Sequence, residues 1–152
     1  MRVSTKSDYA LRALIEIAAD PTAQAITADE LGRAQEIPHG YLQTILGDLR
    51  KAGILIAQRG AAGGWRLARP ATEVSVADVI RAVDGPLVSV YGVRPESVVY
   101  SGRAEVLGPV WVAARSALRE VLEDVTIHHL ASGQLPASVL ERTADEDAWR
   151  SH

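Results

Sequence analysis

The stretch QRGAAGGWRL, Gln58–Leu67, decides the fold of this chain. It places three glycines and two arginines between two short apolar runs, at 54–58 and 65–68. The runs predict two strands, and the glycines between them predict a hairpin turn. Three interpretations are open at this point: a plain hairpin, the phosphate-binding loop of an enzyme, or a wing that lies on nucleic acid.

Three helices are predicted before the hairpin. The first spans about Ser4–Ala19, with a hydroxyl residue available as its cap. The second, TADELGRAQ, begins with Thr27 and Glu30 in the reciprocal capping pattern. The third, HGYLQTILGDLRKAG, follows Pro38. Its apolar residues recur at i, i+3, i+4 and i+7, which predicts one buried face: Leu42, Ile45, Leu46 and Leu49.

The order helix, short helix, turn, helix, hairpin is typical of a winged helix-turn-helix. We therefore predict a mainly α fold with a small two-stranded β wing. The winged helix-turn-helix domain covers residues 1–85, including a helix that Ser75 caps. A loop follows at 86–108, and a long helix with a short helix after it at 109–132. The tail at 133–152 has an acidic end, which favours partial disorder.

Charge distribution and hydropathy limit the classes of protein to which this chain can belong. The net charge is −3, but residues 1–70 carry nine Lys/Arg against seven Asp/Glu, whereas residues 71–152 carry seven against twelve. Local excess of positive charge matters more for DNA binding than the total. No stretch has the length and apolarity of a membrane span or of a signal peptide, so we expect a cytoplasmic protein with no membrane partner.

The predicted fold directs the third helix into a major groove and the wing beside it. Arg59 would then enter the minor groove, with a solvated arginine of the hairpin as the alternative, and the wing glycines would adopt positive φ. Other predicted DNA contacts also have alternatives. Tyr41 could instead pack within the protein, and Ser4 could cap the first helix. The basic residues at the end of the third helix could simply be solvated. The predicted DNA-binding residues are Ser4, Lys6, Pro38, His39, Gly40, Tyr41, Gln43, Thr44, Arg50, Lys51, Arg59, Gly60, Gly63 and Gly64.

Four segments together resemble one family: YALRALIEIA, IPHGYLQTILGDLRKAGIL, RGAAGGWRLARP and VSVADVIRAVDG. This is the IscR-like (Rrf-two) family of bacterial winged helix-turn-helix transcriptional regulators. The resemblance covers about residues 1–84 and resumes in the long helix and in LEDVTIHHL at 122–130. The Tyr-Leu start of the third helix, its Leu-Arg-Lys-x-Gly end and the Arg-Gly-x-x-Gly-Gly wing make the resemblance specific.

The resemblance implies a homodimeric regulator of transcription, in our interpretation a repressor, on a pseudo-palindromic operator. Two recognition helices would face major grooves whose centres lie about 34–36 Å apart on double-stranded DNA. The long helix would pair with that of a second copy. Its dimerisation stripe is predicted to be Val110, Ala114, Ala117, Leu118, Val121 and Val125.

Many members of this family sense a signal through an iron–sulfur cluster that three cysteines hold in the loop before the long helix. This chain has no cysteine, so we expect no cluster and no other cofactor. Asp8 stands where some members have an extra cluster ligand, and we expect it to act as a cap or an ion-pair residue. A small-molecule or protein effector stays open, with Tyr91, Tyr100 and Trp111 as the candidate pocket.

Other functions are less well supported by the residues. The wing lacks the Lys-Ser/Thr of a phosphate-binding loop, and no catalytic motif is present, so we expect no enzyme. His128 and His129 are neighbours on a helix and point in different directions, so we expect no metal site. One alternative remains: a protein-interaction module that binds DNA only or mainly with a partner, for which the acidic second half is the argument.

Overall fold

The computed structural model describes residues 2–150 of the chain. The helices and strands are α1 (Thr5–Ala19), α2 (Ala28–Gln35), α3 (His39–Lys51), β1 (Leu55–Gln58), β2 (Gly64–Leu67), α4 (Val76–Asp84), α5 (Leu107–Asp124), α6 (Ile127–Ser132) and α7 (Ala137–Thr143). Short 3-10 helices lie at Ala71–Glu73, Pro95–Ser97, Gly102–Val106 and Glu146–Trp149. The protein is mainly helical with one antiparallel hairpin in its described part, which confirms the predicted fold class.

Local signals set the starts of the helices. The Ser4 hydroxyl accepts a hydrogen bond from the Ser7 amide at 2.9 Å and so caps α1. Thr27 and Glu30 form both halves of a capping box at the start of α2. At the other end of α2, Glu36 adopts a left-handed conformation, with φ of 53°. That residue reverses the chain and leads directly into α3.

The main core lies where α1, α2, α3 and α4 meet. The predicted apolar face of α3, with Leu42 and Leu49 at its two ends, is fully buried there, which confirms the spacing argument. Ala13 and Leu14 of α1 are also fully buried, and Leu31 anchors α2. Because one face of α3 is buried, its other face is turned to solvent.

Helix α6 belongs to this core rather than to the long helix. The Ile127 amide donates to the Val74 carbonyl at 2.8 Å, and the Val76 amide donates to the Val125 carbonyl at 2.8 Å. These bonds hold the start of α6 against the start of α4, and Ile127 is fully buried in the main core. The predicted grouping of α6 with the long helix therefore differs from the structure, because pairing across about fifty residues leaves no local signal in the sequence.

The region that follows the wing contains more regular structure than the sequence predicted. The segment 86–108, predicted as a loop, holds two 3-10 helices. The tail carries α7, which contacts α5 through Arg142 Nη2 and Glu120 Oε2 at 3.1 Å. Residues 151 and 152 of the predicted tail lie outside the described residues. No helix within residues 2–150 combines the length and apolarity needed to cross a membrane.

Candidate nucleic-acid interface

The exposed face of α3 carries the predicted polar residues. His39 and Gln43 lie one helical turn apart, with their Nε2 atoms at 3.4 Å. Thr44 and Gly40 lie on the adjoining row, where the Thr44 hydroxyl donates to the Gly40 carbonyl at 3.3 Å. All four residues are exposed. The structure therefore gathers these predicted residues on one accessible helix face, which offers donors and acceptors suited to base edges.

The first turn of α3 is open to an anion. Pro38 precedes the helix, and no side chain of the described residues caps it. The amides of a helix's first turn lack partners within the helix, and the helix dipole favours negative charge at that end. A DNA phosphate is the ligand that such an end binds in a helix-turn-helix.

The packing predicted as one role of Tyr41 is present, and its phosphate contact stays a prediction. Its ring packs edge-on against the ring of Tyr9, with centroids 5.9 Å apart and planes at 88°. Yet the residue is 52% exposed. Packing thus holds the ring at the start of α3 and leaves the side chain accessible to a phosphate.

Ser4 and Lys6 are engaged within the fold. The Lys6 ammonium lies 2.7 Å from an Asp48 carboxylate oxygen and 2.9 Å from the Val83 carbonyl. The Ser4 hydroxyl caps α1 and also donates to the Asp84 carboxylate. Both side chains therefore hold α1 against α3 and α4. Their predicted phosphate contacts lose support, because the polar groups already have partners in the protein.

Asp48 contributes the acidic charge of α3. The hydrogen bond from Lys6 lowers the pKa of Asp48, and Lys51, 3.5 Å away, lowers it further. Arg50 and Lys51 are exposed at the C-terminal end of the helix. At 1.5 Å per residue they lie about 18 Å along the axis from His39. Any phosphate they contact is therefore a different one from that at the first turn.

Glycine is required in the wing for two distinct reasons. Gly60 and Gly64 have φ of 101° and 147°, which confirms the predicted positive φ at both. The same prediction is wrong for Gly63, which is not among the glycines with positive φ. There the reason is steric, since a Cβ would lie 2.7 Å from the Gly60 carbonyl oxygen and 2.8 Å from that of Gln58.

The wing is fixed to the body by backbone pairing. The Trp65 amide donates to the Ile26 carbonyl at 2.7 Å, and the Ile26 amide donates to the Trp65 carbonyl at 3.0 Å. A Cβ on Gly64 would lie 2.6 Å from Ile26 backbone atoms, so only glycine permits this approach. The segment just before α2 thus sets the position of the wing relative to the helix-turn-helix.

Arginines of the wing are free to reach a ligand. Arg59 is exposed next to the turn, and it has no ion pair within 4.0 Å among residues 2–150. Arg66, which is not among the predicted DNA-binding residues, is also exposed, on β2 opposite Ile56. The sequence could have indicated this exposure. Alternate residues of a strand face opposite sides, so a residue between the inward-facing Trp65 and Leu67 must face outward.

The proposed effector trio is only partly assembled. The Trp111 indole donates to the Tyr100 hydroxyl at 3.0 Å, so these two side chains meet. Tyr91 does not join them, because it lies at the tip of a tight Val90–Val93 turn with φ of 53° and is 91% exposed. The structure thus shows contact between two of the three predicted pocket residues, and the third is exposed to solvent.

The long helix α5 exposes most of the predicted dimerisation stripe. None of its residues is buried within the described chain, and Val110 is 53% exposed. Val125 is the exception: it caps the C-terminus of α5 with extended backbone and is only 5% exposed. It packs with Ala77 and Leu87, so its predicted place in a dimer interface is corrected. Ala114, Ala117, Leu118 and Val121 remain accessible to differing degrees.

Two other predicted roles concern single residues. Asp8 forms an ion pair with Arg12 at 3.4 Å, as expected. His129 uses its ring within the α6 capping box, where Nδ1 accepts from the Thr126 amide at 3.1 Å. Across residues 2–150, no group of three or more His, Cys, Asp or Glu side chains is arranged to hold a metal ion.

Comparison with known proteins identifies the family. The model for the family described as "Rrf2: Iron-dependent Transcriptional regulator" matches residues 3–133. The chain belongs to the Rrf2 family. Rv1287 of Mycobacterium tuberculosis, named as a candidate HTH-type transcriptional regulator, is 41% identical over 151 residues, 99% of this chain and 94% of its own. CymR of Bacillus subtilis is 30% identical over 132 residues, 87% of this chain and 91% of its own.

Solved structures of Rrf2 regulators share the fold. The structure of B. subtilis CymR, titled the global cysteine regulator, superposes with a TM-score of 0.74 at 28% identity, covering 88% of this chain and 98% of that one. IscR of T. potens gives a TM-score of 0.68 at 26% identity, covering 100% and 93%. The chain is thus an Rrf2-family helix-turn-helix transcriptional regulator that binds DNA, and it is not an enzyme.

The residues of this Rrf2 protein do not fit an iron–sulfur cluster. Such clusters are held mainly by cysteine thiolates, and the chain has no cysteine. The segment 86–108 contains no histidine either. Of its carboxylates, Glu96 forms an ion pair with Arg115.

Proposed function

We propose that this protein is a homodimeric repressor that binds a pseudo-palindromic operator without an iron–sulfur cluster. The exposed face of α3 would read the major groove, and the wing would place Arg59 in the adjacent minor groove. The observation that carries the proposal is the combination of an open first turn of α3 with an unpaired wing arginine. Phosphate contacts at the first turn would set the register, and Gln43 and Thr44 would contact base edges.

The dimer is supported by α5. An 18-residue helix with no buried residue in the described chain, and with Val110 and Val112 exposed, has an unpartnered apolar surface. The helix is about 27 Å long, which suits pairing with the same helix of a second copy. Of the two regulatory outcomes we propose repression, because a dimer bound within a promoter would block it by occupancy.

The test is operator binding by Arg59→Ala. Operator DNA is first selected from fragments of the source genome with the purified protein, and affinity is then measured by fluorescence anisotropy. We expect the variant to bind about 1.5–3 kcal/mol more weakly, the range for loss of one hydrogen bond to a charged group. Arg103→Ala is the matched control, since Arg103 is also an exposed arginine but lies on a different element. Equal loss in both variants would refute the role of the wing.

Salt dependence separates this proposal from the protein-interaction alternative. Direct binding should weaken linearly with the logarithm of salt concentration, since phosphate contacts release counterions. Loss of the Arg59 contact should reduce that slope by about 1. If the purified protein shows no salt-sensitive binding to any selected DNA, the interaction-module alternative is favoured.

A further inference from the structure

A cleft lies between the C-terminal end of α4 and the side of α5. Its volume is about 450 Å³, within the range of small-molecule sites. The segment Gly85–Val88 forms an apolar wall that includes the buried Leu87. The other walls carry guanidinium groups from three parts of the chain: Arg81, Arg94, Arg115 and Arg119.

Positive charge in the cleft exceeds the negative charge that the protein supplies there. Glu96 is the acidic residue among the lining residues that the structure describes, and it pairs with Arg115. Glu123 is shared between Arg81 and Arg119, with the Arg119 Nε contact at 2.9 Å. Arg81 also lies 3.7 Å from Asp78.

Arg94 completes the charged wall. Within residues 2–150 it makes no ion pair within 4.0 Å. Glu96, Glu123 and Asp78 offset the charges of the other three guanidinium groups, so Arg94 adds a positive charge, and the repulsion that comes with it, that no ion pair within 4.0 Å offsets among the described residues. An anion in the cleft would remove that repulsion.

We propose that this cleft binds a small metabolite with two or more carboxylate or phosphate groups, as the effector of the regulator. The planar guanidinium fork matches both kinds of oxyanion, and the wall around Leu87 accommodates a short carbon chain. The ion pairs of Arg81, Arg115 and Arg119 use only part of the five N–H donors of each guanidinium, unlike the single hydroxyl proton of Ser4. A ligand that binds the unpaired Arg94 and the remaining donors of Arg81 and Arg119 would connect α4 to α5. Because α4 packs against α3 in the main core, such a ligand can alter operator affinity. The effector role rests on the proposed function.

The binding test uses citrate and inorganic pyrophosphate as probes, with acetate as the monovalent comparison, in calorimetry at matched ionic strength. We expect citrate, pyrophosphate or both to bind, and which one binds identifies the carboxylate or phosphate source. Arg94→Gln should weaken binding by about five- to tenfold, between the values for an exposed ion pair and a charge-assisted hydrogen bond. Arg103→Gln, which removes an exposed arginine outside the cleft, should bind as the wild type does.

Operator affinity is measured in parallel, with and without the probe. A change in wild-type affinity that Arg94→Gln abolishes supports the effector role. Binding of the probe without any change in operator affinity overturns that role. Absence of binding, or equal binding by Arg94→Gln, overturns the site itself. If the wild type fails to bind operator DNA without any probe, the proposed function has failed instead, and the two failures are thereby distinguished.

Discussion

Replacing Gly64 with alanine should detach the wing from the body. The new Cβ would lie 2.6 Å from the Ile26 backbone, at a residue whose φ is 147°. Because these Ile26 atoms belong to the backbone, they cannot move aside as the end of a flexible side chain can. The clash is therefore relieved only if β2 moves away from Ile26. Both hydrogen bonds between Ile26 and Trp65, at 2.7 and 3.0 Å, would then be lost.

The loss of stability is the sum of the lost hydrogen bonds and the backbone strain at residue 64. Two backbone hydrogen bonds contribute about 1–3 kcal/mol together, and alanine at positive φ costs about 1 kcal/mol more. We therefore expect Gly64→Ala to lower the free energy of unfolding by about 2–4 kcal/mol. Operator affinity should also fall, since the displaced wing no longer presents Arg59 beside α3.

Gly47→Ala is the matched control. Gly47 lies within α3, and a Cβ there would meet nothing within 4 Å. Alanine should raise the free energy of unfolding by up to about 1 kcal/mol, because glycine weakens a helix interior. Urea denaturation followed by circular dichroism measures both variants. A free energy of unfolding for Gly64→Ala within about 0.5 kcal/mol of the wild-type value, the range of neutral surface substitutions, would show that the wing does not depend on this close approach.

Three further predictions concern other elements. Val110→Glu on α5 should shift a dimer to monomer in analytical ultracentrifugation without altering the circular dichroism spectrum; an unchanged dimer would contradict the assigned interface. Thr27→Ala should cost about 0.5–2 kcal/mol of stability in urea denaturation, through loss of the capping box. Hydrogen bonds from Arg119 and then Arg81 lower the pKa of Glu123 from 4.5 to about 2, so its stabilising contribution is complete above pH 4.5 and is lost as pH falls towards 2. Glu123→Gln should therefore lose less stability than the wild type over that interval.

Features encoded in short segments could be predicted from the sequence. The apolar spacing of α3 is sufficient to predict its buried face, because a helix alone brings Leu42 and Leu49 to one side. The Thr27–Glu30 pattern likewise acts within one turn and predicts the start of α2. The family resemblance added the function, since neither feature distinguishes a DNA-binding protein from other helical proteins.

Features that depend on distant contacts could not be predicted. Lys6 and Asp48 are 42 residues apart, so only the folded chain shows that this lysine's ammonium already has a partner. Val125 continues the helical stripe in the sequence, but the chain leaves the helix there and its side chain packs with Ala77 and Leu87. Tyr91 has a positive φ of 53°, which a non-glycine residue rarely adopts, and its side chain is exposed to solvent.

Footprinting on the selected operator tests the central claim most directly. Guanine N7 methylation reports on the major groove, and hydroxyl-radical cleavage reports on the sugar backbone along the minor groove. We predict two half-sites of N7 protection about 10–10.5 base pairs apart, or a multiple of that spacing, each flanked by minor-groove protection that Arg59→Ala removes. A single protected half-site, or minor-groove protection unchanged in Arg59→Ala, would contradict the account of a dimer that reads DNA with α3 and the wing.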